Sequence, residues 1–209
     1  MICLFGGTFD PIHLGHLHAA LSVCDALDVP QIRLILSARP SHRTAPGASI
    51  AQRWEMLKLA CASDQRLVPD DREMRRSAPS FTVDTLAEIR GENPGEPLVW
   101  VIGSDAFALL ASWYRWEQVL ELCHLVVLNR PGHPLTLEPR LKALMARAQT
   151  TAIADLHEQS AGRILVLERD MEQVSAEAIR KALSQGAEVA HLLPAAVDTY
   201  IRTHRLYGA

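Results

Sequence analysis

The chain has 209 residues, 48% of them hydrophobic and 22% charged, with a formal net charge of −3. That length suits one sizeable core, and that composition excludes a disordered or low-complexity chain. The mild negative charge argues against a protein that grips nucleic acid by its phosphates, which needs a strongly basic face; a small anionic ligand needs only a local positive site. Cys3, Cys24, Cys61 and Cys123 form no C-x-x-C pair and sit among apolar residues, which reads as buried reduced thiols. No apolar run approaches the ~20 residues of a membrane span. The first residues lack the basic start of a signal peptide. A cytoplasmic protein with no nucleic-acid or membrane partner is expected.

In chain order, residues 2–5 are a continuous apolar run. Leu14, Leu17, Leu21, Cys24 and Leu27 then recur at helical steps. A second apolar run covers residues 32–36. Ile50, Trp54, Leu57 and Cys61 again keep helical spacing, which puts Trp54 in the core. Residues 37–49 and 68–80 are irregular. The charge run Asp70-Asp71-Arg72-Glu73-Met74-Arg75-Arg76 in the second of these reads as a solvated face. Further apolar runs cover residues 98–102, with Trp100 as core, 125–128 and 164–167. Helical spacing returns at Leu137, Leu141, Leu144 and Ala148, and at Val197, Tyr200 and Ile201. Continuous runs, as opposed to alternating ones, are strands buried on both faces, as in a parallel sheet. Alternating strands and helices predict a doubly wound, mostly parallel α/β sheet of Rossmann-like type. No repeat or linker divides the chain. We read residues 1–209 as one domain with a helical portion from about 175.

In such sheets ligands bind beyond the carboxyl ends of the strands. That singles out residues 6–16, 37–43, 103–116, 129–133 and the stretch after Leu167. The first of these is Gly6-Gly7-Thr8-Phe9-Asp10-Pro11-Ile12-His13-Leu14-Gly15-His16. Two glycines allow close backbone approach, Asp10-Pro11 signals a turn, and a helix starts near Leu14. A helix N-terminus offers free N–H groups to a phosphate. His13 and His16, three apart, share one face. His18 is off that face and no carboxylate or thiolate joins the pair, so a protein-held metal is not expected.

His13-Leu14-Gly15-His16 resembles the His-x-Gly-His signature of the nucleotidyltransferase superfamily. Val174-Ser175-Ala176-Glu177-Ala178-Ile179-Arg180 resembles its second element, I-S-x-T-x-x-R, with Glu177 where threonine is usual. A narrower resemblance, to the bacterial nicotinate-nucleotide adenylyltransferase family, covers nearly the whole chain. It rests on Pro40-Ser41-His42-Arg43, on residues 79–86 with Thr82 and Thr85, and on Gly103-Ser104-Asp105 followed by Trp113-Tyr114-Arg115-Trp116. Asn129-Arg130-Pro131-Gly132 and the tail from Leu193-Pro194 to Leu206-Tyr207 complete it.

The resemblance implies adenylyl transfer from ATP to nicotinate mononucleotide, giving deamido-NAD and pyrophosphate, with Mg²⁺ accompanying the ATP. His13, His16 and Arg180 are its catalytic residues. Gly6, Gly7, Thr8, Phe9, His42, Arg43, Gly103, Asp105, Ser175 and Ile179 would bind ATP. Thr82, Thr85, Trp113, Tyr114 and Arg130 would bind the mononucleotide. Backbone N–H groups at 82–85 and around Trp113 and Tyr114 are expected to meet the pyridine carboxylate. No activated nucleophile stands out, so no covalent intermediate is expected. The alternatives are a sibling enzyme acting on nicotinamide mononucleotide or phosphopantetheine, a cytidylyltransferase, or a non-catalytic nucleotide sensor. A homo-oligomer is compatible with the sequence.

Overall fold

The computed structural model describes residues 1–40, 45–169 and 174–209. The strands β1 (Ile2–Gly7), β2 (Ile32–Leu36), β3 (Leu67–Asp70), β4 (Leu98–Gly103), β5 (His124–Asn129), β6 (Gln149–Thr150) and β7 (Ile164–Glu168) lie in the order β3-β2-β1-β4-β5-β7-β6. The pairings β2·β3, β1·β4, β4·β5, β5·β7 and β6·β7 are all parallel. In register, Cys3 sits opposite Val99, Val101 opposite Val126, and Val126 opposite Leu165. The side chains of Leu4, Leu34, Val99, Leu125, Val126 and Ile164 are fully buried. This is why the runs are continuously apolar: each buried aliphatic side chain contributes about 1.5–3 kcal/mol. The predicted doubly wound α/β sheet is what the chain forms.

The helices are α1 (Leu14–Leu27), α2 (Ile50–Cys61), α3 (Thr82–Glu92), α4 (Ser104–Ala108), α5 (Val119–Leu122), α6 (Pro139–Ala148), α7 (Asp155–Glu158), α8 (Ala176–Ser184) and α9 (Ala195–Thr203). Their starts follow local chemistry. Ser49 and Gln52 form a reciprocal capping box on α2, Pro139 opens α6, and the Ser175 hydroxyl accepts the Ala178 N–H at 3.1 Å to cap α8.

Four expectations are corrected. The predicted irregular stretch from residue 68 begins with β3, a four-residue strand that its Pro69 and Asp70 hide from an apolar-run reading. The charge run is not a solvated face throughout. Arg72 and Glu73 are buried, and the Arg72 guanidinium lies 3.0 Å from Asp70, because a charge leaves water only when paired. The helix α3 and the two-residue β6 were not foreseen. Trp54 is only half-buried, and its neighbour Arg53 takes the core position instead.

The chain forms two compact units. One comprises Met1–Gly6, Leu27–Val29 and Phe81–Asp170. The other comprises Gly7–Ala26, Pro30–Ser80 and Met171–Ala209. All four cysteines are buried, and none is in a disulfide among the described residues. Burial pushes the thiols of Cys24, Cys61 (to about 12) and Cys123 up, so they stay protonated at neutral pH.

Candidate active site

The unit that holds α1 and α8 carries the two signature elements. Both glycines at the end of β1 are required by aromatic neighbours. A Cβ on Gly6 would enter the Trp100 ring, and one on Gly7 would lie 2.6 Å from Phe9 Cε1. Phe9 adopts φ 47° and buries its ring, which meets His16 edge-on at 5.2 Å. The chain then turns through Asp10-Pro11 into α1. His13 and His16 stack with ring centroids 3.7 Å apart and planes 26° from parallel. The backbone N–H of His13 donates to His16 Nδ1 at 3.4 Å, which leaves Nε2 as the donor nitrogen of His16.

His13 is 4% exposed, and burial lowers its pKa to about 4, so the ring is neutral at pH 7. Its Nδ1 has no hydrogen-bond partner among the described residues. A Cβ on Gly15 would come within 3.2 Å of that nitrogen and 3.6 Å of Val174 Cβ. The glycine of His-x-Gly-His therefore makes room for the first histidine on one side and for the approach to α8 on the other. Gly15 and Val174, 159 positions apart in the chain, approach each other here.

Arg180 reaches the same loop: its Nη1 donates to the Asp10 carbonyl at 2.6 Å and lies 3.7 Å from the Asp10 carboxylate. That carboxylate is buried and accepts from the Gly47 N–H at 2.8 Å, the Ala48 N–H at 3.1 Å and the Tyr207 hydroxyl at 2.7 Å. Arg53, also buried, donates to the carbonyls of Thr8, Ser37 and Ala38 at 2.7–2.8 Å and so ties the loops after β1 and β2 together. Ser175 caps α8, and Ile179 is fully buried beneath it. His42 and Arg43 lie outside the described residues. Sequence reasoning missed Asp10, Arg53 and Tyr207 as site residues. Asp10 was read only as a turn signal, and an arginine within the apolar stripe of α2 was the available hint for Arg53.

The other unit carries the aromatic candidates. Tyr114 is 49% exposed and packs on Phe81, centroids 4.5 Å apart. The Arg115 guanidinium lies 5.9 Å from the Tyr114 centroid and 4.0 Å from Asp84. Arg115 sits at φ 51°, breaking the chain between the two short 3₁₀ turns that Trp113 and Trp116 flank. Phe81, not foreseen as a site residue, immediately precedes α3. The expected N–H donors are partly spent. Thr85 N–H donates to Phe81 O and Trp113 N–H to Leu110 O. A helix leaves its first N–H groups without intrahelical partners, which points to Thr82 and Val83 instead. Thr85 itself is fully buried.

Gly103 ends β4 with nothing within 4 Å of where a Cβ would stand, and Asp105 follows exposed on α4. Arg130 is exposed and opens a turn in which the His133 N–H donates to its carbonyl at 3.1 Å, with Gly132 at φ 74°. A cleft of about 640 Å³ beside that turn is lined by Asn129, His133, Leu137, Lys142, Met145 and Glu168, among others. Among the described residues no three of His, Cys, Asp and Glu converge as a metal cage, and the Asp10 carboxylate is already committed to internal donors. No residue here is assigned as a Mg²⁺ ligand. No helix among the described residues is long and apolar enough to cross a membrane.

Residues 4–182 match the model of the cytidylyltransferase-like family. A protein of Aeromonas hydrophila, named probable nicotinate-nucleotide adenylyltransferase, is 42% identical over 206 residues, covering 99% of this chain and 96% of its own. One of Pseudomonas paraeruginosa with the same name is 42% identical, covering 100% and 97%. Among solved structures, Plasmodium falciparum nicotinic acid mononucleotide adenylyltransferase complexed with NaAD superposes with a TM-score of 0.75 at 16% identity, covering 99% of this chain and 96% of that one.

Proposed function

The chain belongs to the nicotinate-nucleotide adenylyltransferases of the cytidylyltransferase-like family, and we propose that it transfers the adenylyl group of ATP to nicotinate mononucleotide. The observation that carries the proposal is the stacked His13–His16 pair at the start of α1, with Arg180 held on the same loop. A phosphate oxygen of the mononucleotide attacks the α-phosphorus of ATP. The new P–O bond makes deamido-NAD, and the bond to the bridging oxygen breaks, releasing pyrophosphate. No proton need move and no covalent enzyme intermediate forms, so catalysis is positioning and charge stabilisation.

His16, whose Nδ1 accepts from the His13 backbone N–H, donates from Nε2 to the α-phosphate as negative charge develops; His13 stacks behind it and supports it. The guanidinium of Arg180 and the capped start of α8 at Ser175 hold the β- and γ-phosphates, with His42 and Arg43. Mg²⁺ bound to the triphosphate would neutralise part of its charge, with no ligand from the described residues required. Gly6, Gly7, Thr8, Phe9, Gly103, Asp105 and Ile179 complete the ATP side. Tyr114 and Trp113 take the pyridine face, the N–H groups of Thr82 and Val83 receive its carboxylate, and Arg130 serves the mononucleotide phosphate. The enzyme works in the cytoplasm.

Incubation with ATP, Mg²⁺ and each candidate acceptor, scored by pyrophosphate release, tests this. Release is expected with nicotinate mononucleotide and not with phosphopantetheine. ATP binding without release on any acceptor would favour a nucleotide sensor and overturn the proposal.

A further inference from the structure

We propose that Asp10 and Tyr207 are positioning residues for ATP: the Tyr207 hydroxyl occupies the Asp10 carboxylate and so keeps Arg180 available to the triphosphate. This deepens the adenylyl-transfer reading and rests on it. Asp10 is buried, so its carboxylate must be satisfied internally, and three donors converge on it. Tyr207 and Ala48 donate to Oδ1, and Gly47 donates to Oδ2. Arg180 stands beside this group without closing on it. Its Nη1 is 2.6 Å from the Asp10 carbonyl but 3.7 Å from the nearer carboxylate oxygen, beyond hydrogen-bond range.

The gap matters because a carboxylate and a phosphate compete for one guanidinium. Arginine binds both in the same planar, two-pronged way. A carboxylate free to turn would take Arg180 in that way and withdraw it from the nucleotide. The hydroxyl of Tyr207 and the two N–H groups hold the carboxylate in place instead. Arg180 keeps about a third of its side-chain surface exposed, so the guanidinium is not shut away.

The tail is built to deliver that hydroxyl. Tyr207 lies at φ 59° and its ring packs on Gly47, where a Cβ would stand 3.1 Å from the ring and 3.5 Å from Arg180 Cδ. Gly208 follows at φ 87°, with a Cβ position 3.3 Å from Ser184 Cα, which presses the tail onto the end of α8. Leu206 is buried. Burial, then the hydrogen bond to Asp10, push the Tyr207 phenol up from its ordinary value, so it stays a donor through the working pH range.

The test is Tyr207→Phe, which keeps the ring and deletes only the donor. Wild type and variant are titrated separately with Mg²⁺·ATP and with nicotinate mononucleotide, and amide exchange is followed at Gly47 and Ala48. Loss of one hydrogen bond to a charged group predicts an ATP Kd raised about tenfold. The mononucleotide Kd should stay within about twofold of wild type on the same scale, while Gly47 and Ala48 lose exchange protection. An unchanged ATP Kd, or equal weakening of both ligands, would overturn the inference and leave the adenylyl-transfer reading standing. A wild-type chain that binds no ATP would overturn that reading and the inference with it.

Discussion

At the scale of single residues, the histidine pair divides its labour by environment. His16 presents the proton-bearing Nε2, while His13 is neutral because it is buried. His16→Ala should therefore lower kcat by about 10²–10³ while the fold survives, the usual loss for one preorganised donor; near wild-type turnover in a folded variant would contradict its role. His13 leaves a different mark, on stability. Unfolded, it binds a proton near 6.5; folded, only near pH 4. Between those values the unfolded chain holds more protons, so stability is full above 6.5, declines as pH falls, and levels off below about 4. The predicted loss is about 3 kcal/mol across that window. His124, also held below its ordinary value by burial, adds to the wild-type slope. Urea midpoints at pH 7 and 4.5 for wild type and His13→Asn isolate the His13 share, and equal slopes would contradict it.

At the scale of elements, what was legible in the sequence was the part written by burial. The five long strands, α1 and α2 follow from apolar continuity and helical spacing. The short edge strand β3 carries Pro69 and Asp70, so nothing in its composition announced it. The spacing of Val83, Leu86 and Ile89, all buried, was available for α3 but lay within a segment read for its motif. The residues proposed to touch a ligand were legible as motif letters. The residues that hold them were not, because they act through atoms brought from afar: Tyr207 reaches Asp10 across 197 positions, and Arg53 reaches Thr8 across 45. Arg53→Leu tests that support. It would strand three loop carbonyls and remove a buried cation from its partners, a loss of about 3–5 kcal/mol. A thermal midpoint within a degree or two of wild type would show that Arg53 does not tie the loops after β1 and β2.

At the scale of the whole molecule, the residues proposed for the triphosphate and those proposed for the pyridine ring belong to different compact units, while Gly6, Gly103 and Asp105 of the ATP side belong to the same unit as the pyridine residues. One unit holds α1, α8 and the residues proposed for the triphosphate. The other holds Tyr114, Phe81 and the start of α3, proposed for the pyridine ring. Choice of acceptor then rests on the second unit alone. A carboxylate only accepts hydrogen bonds, whereas an amide also presents NH₂, and N–H groups aimed at the ring substituent penalise the amide when buried. The measurement that tests this most directly is a competition. Equal nicotinate and nicotinamide mononucleotides share limiting ATP and Mg²⁺, and the two dinucleotides are quantified by mass spectrometry. The account predicts deamido-NAD in excess by at least about tenfold, the effect of one mismatched buried donor. Equal products, or an excess of NAD, would contradict it.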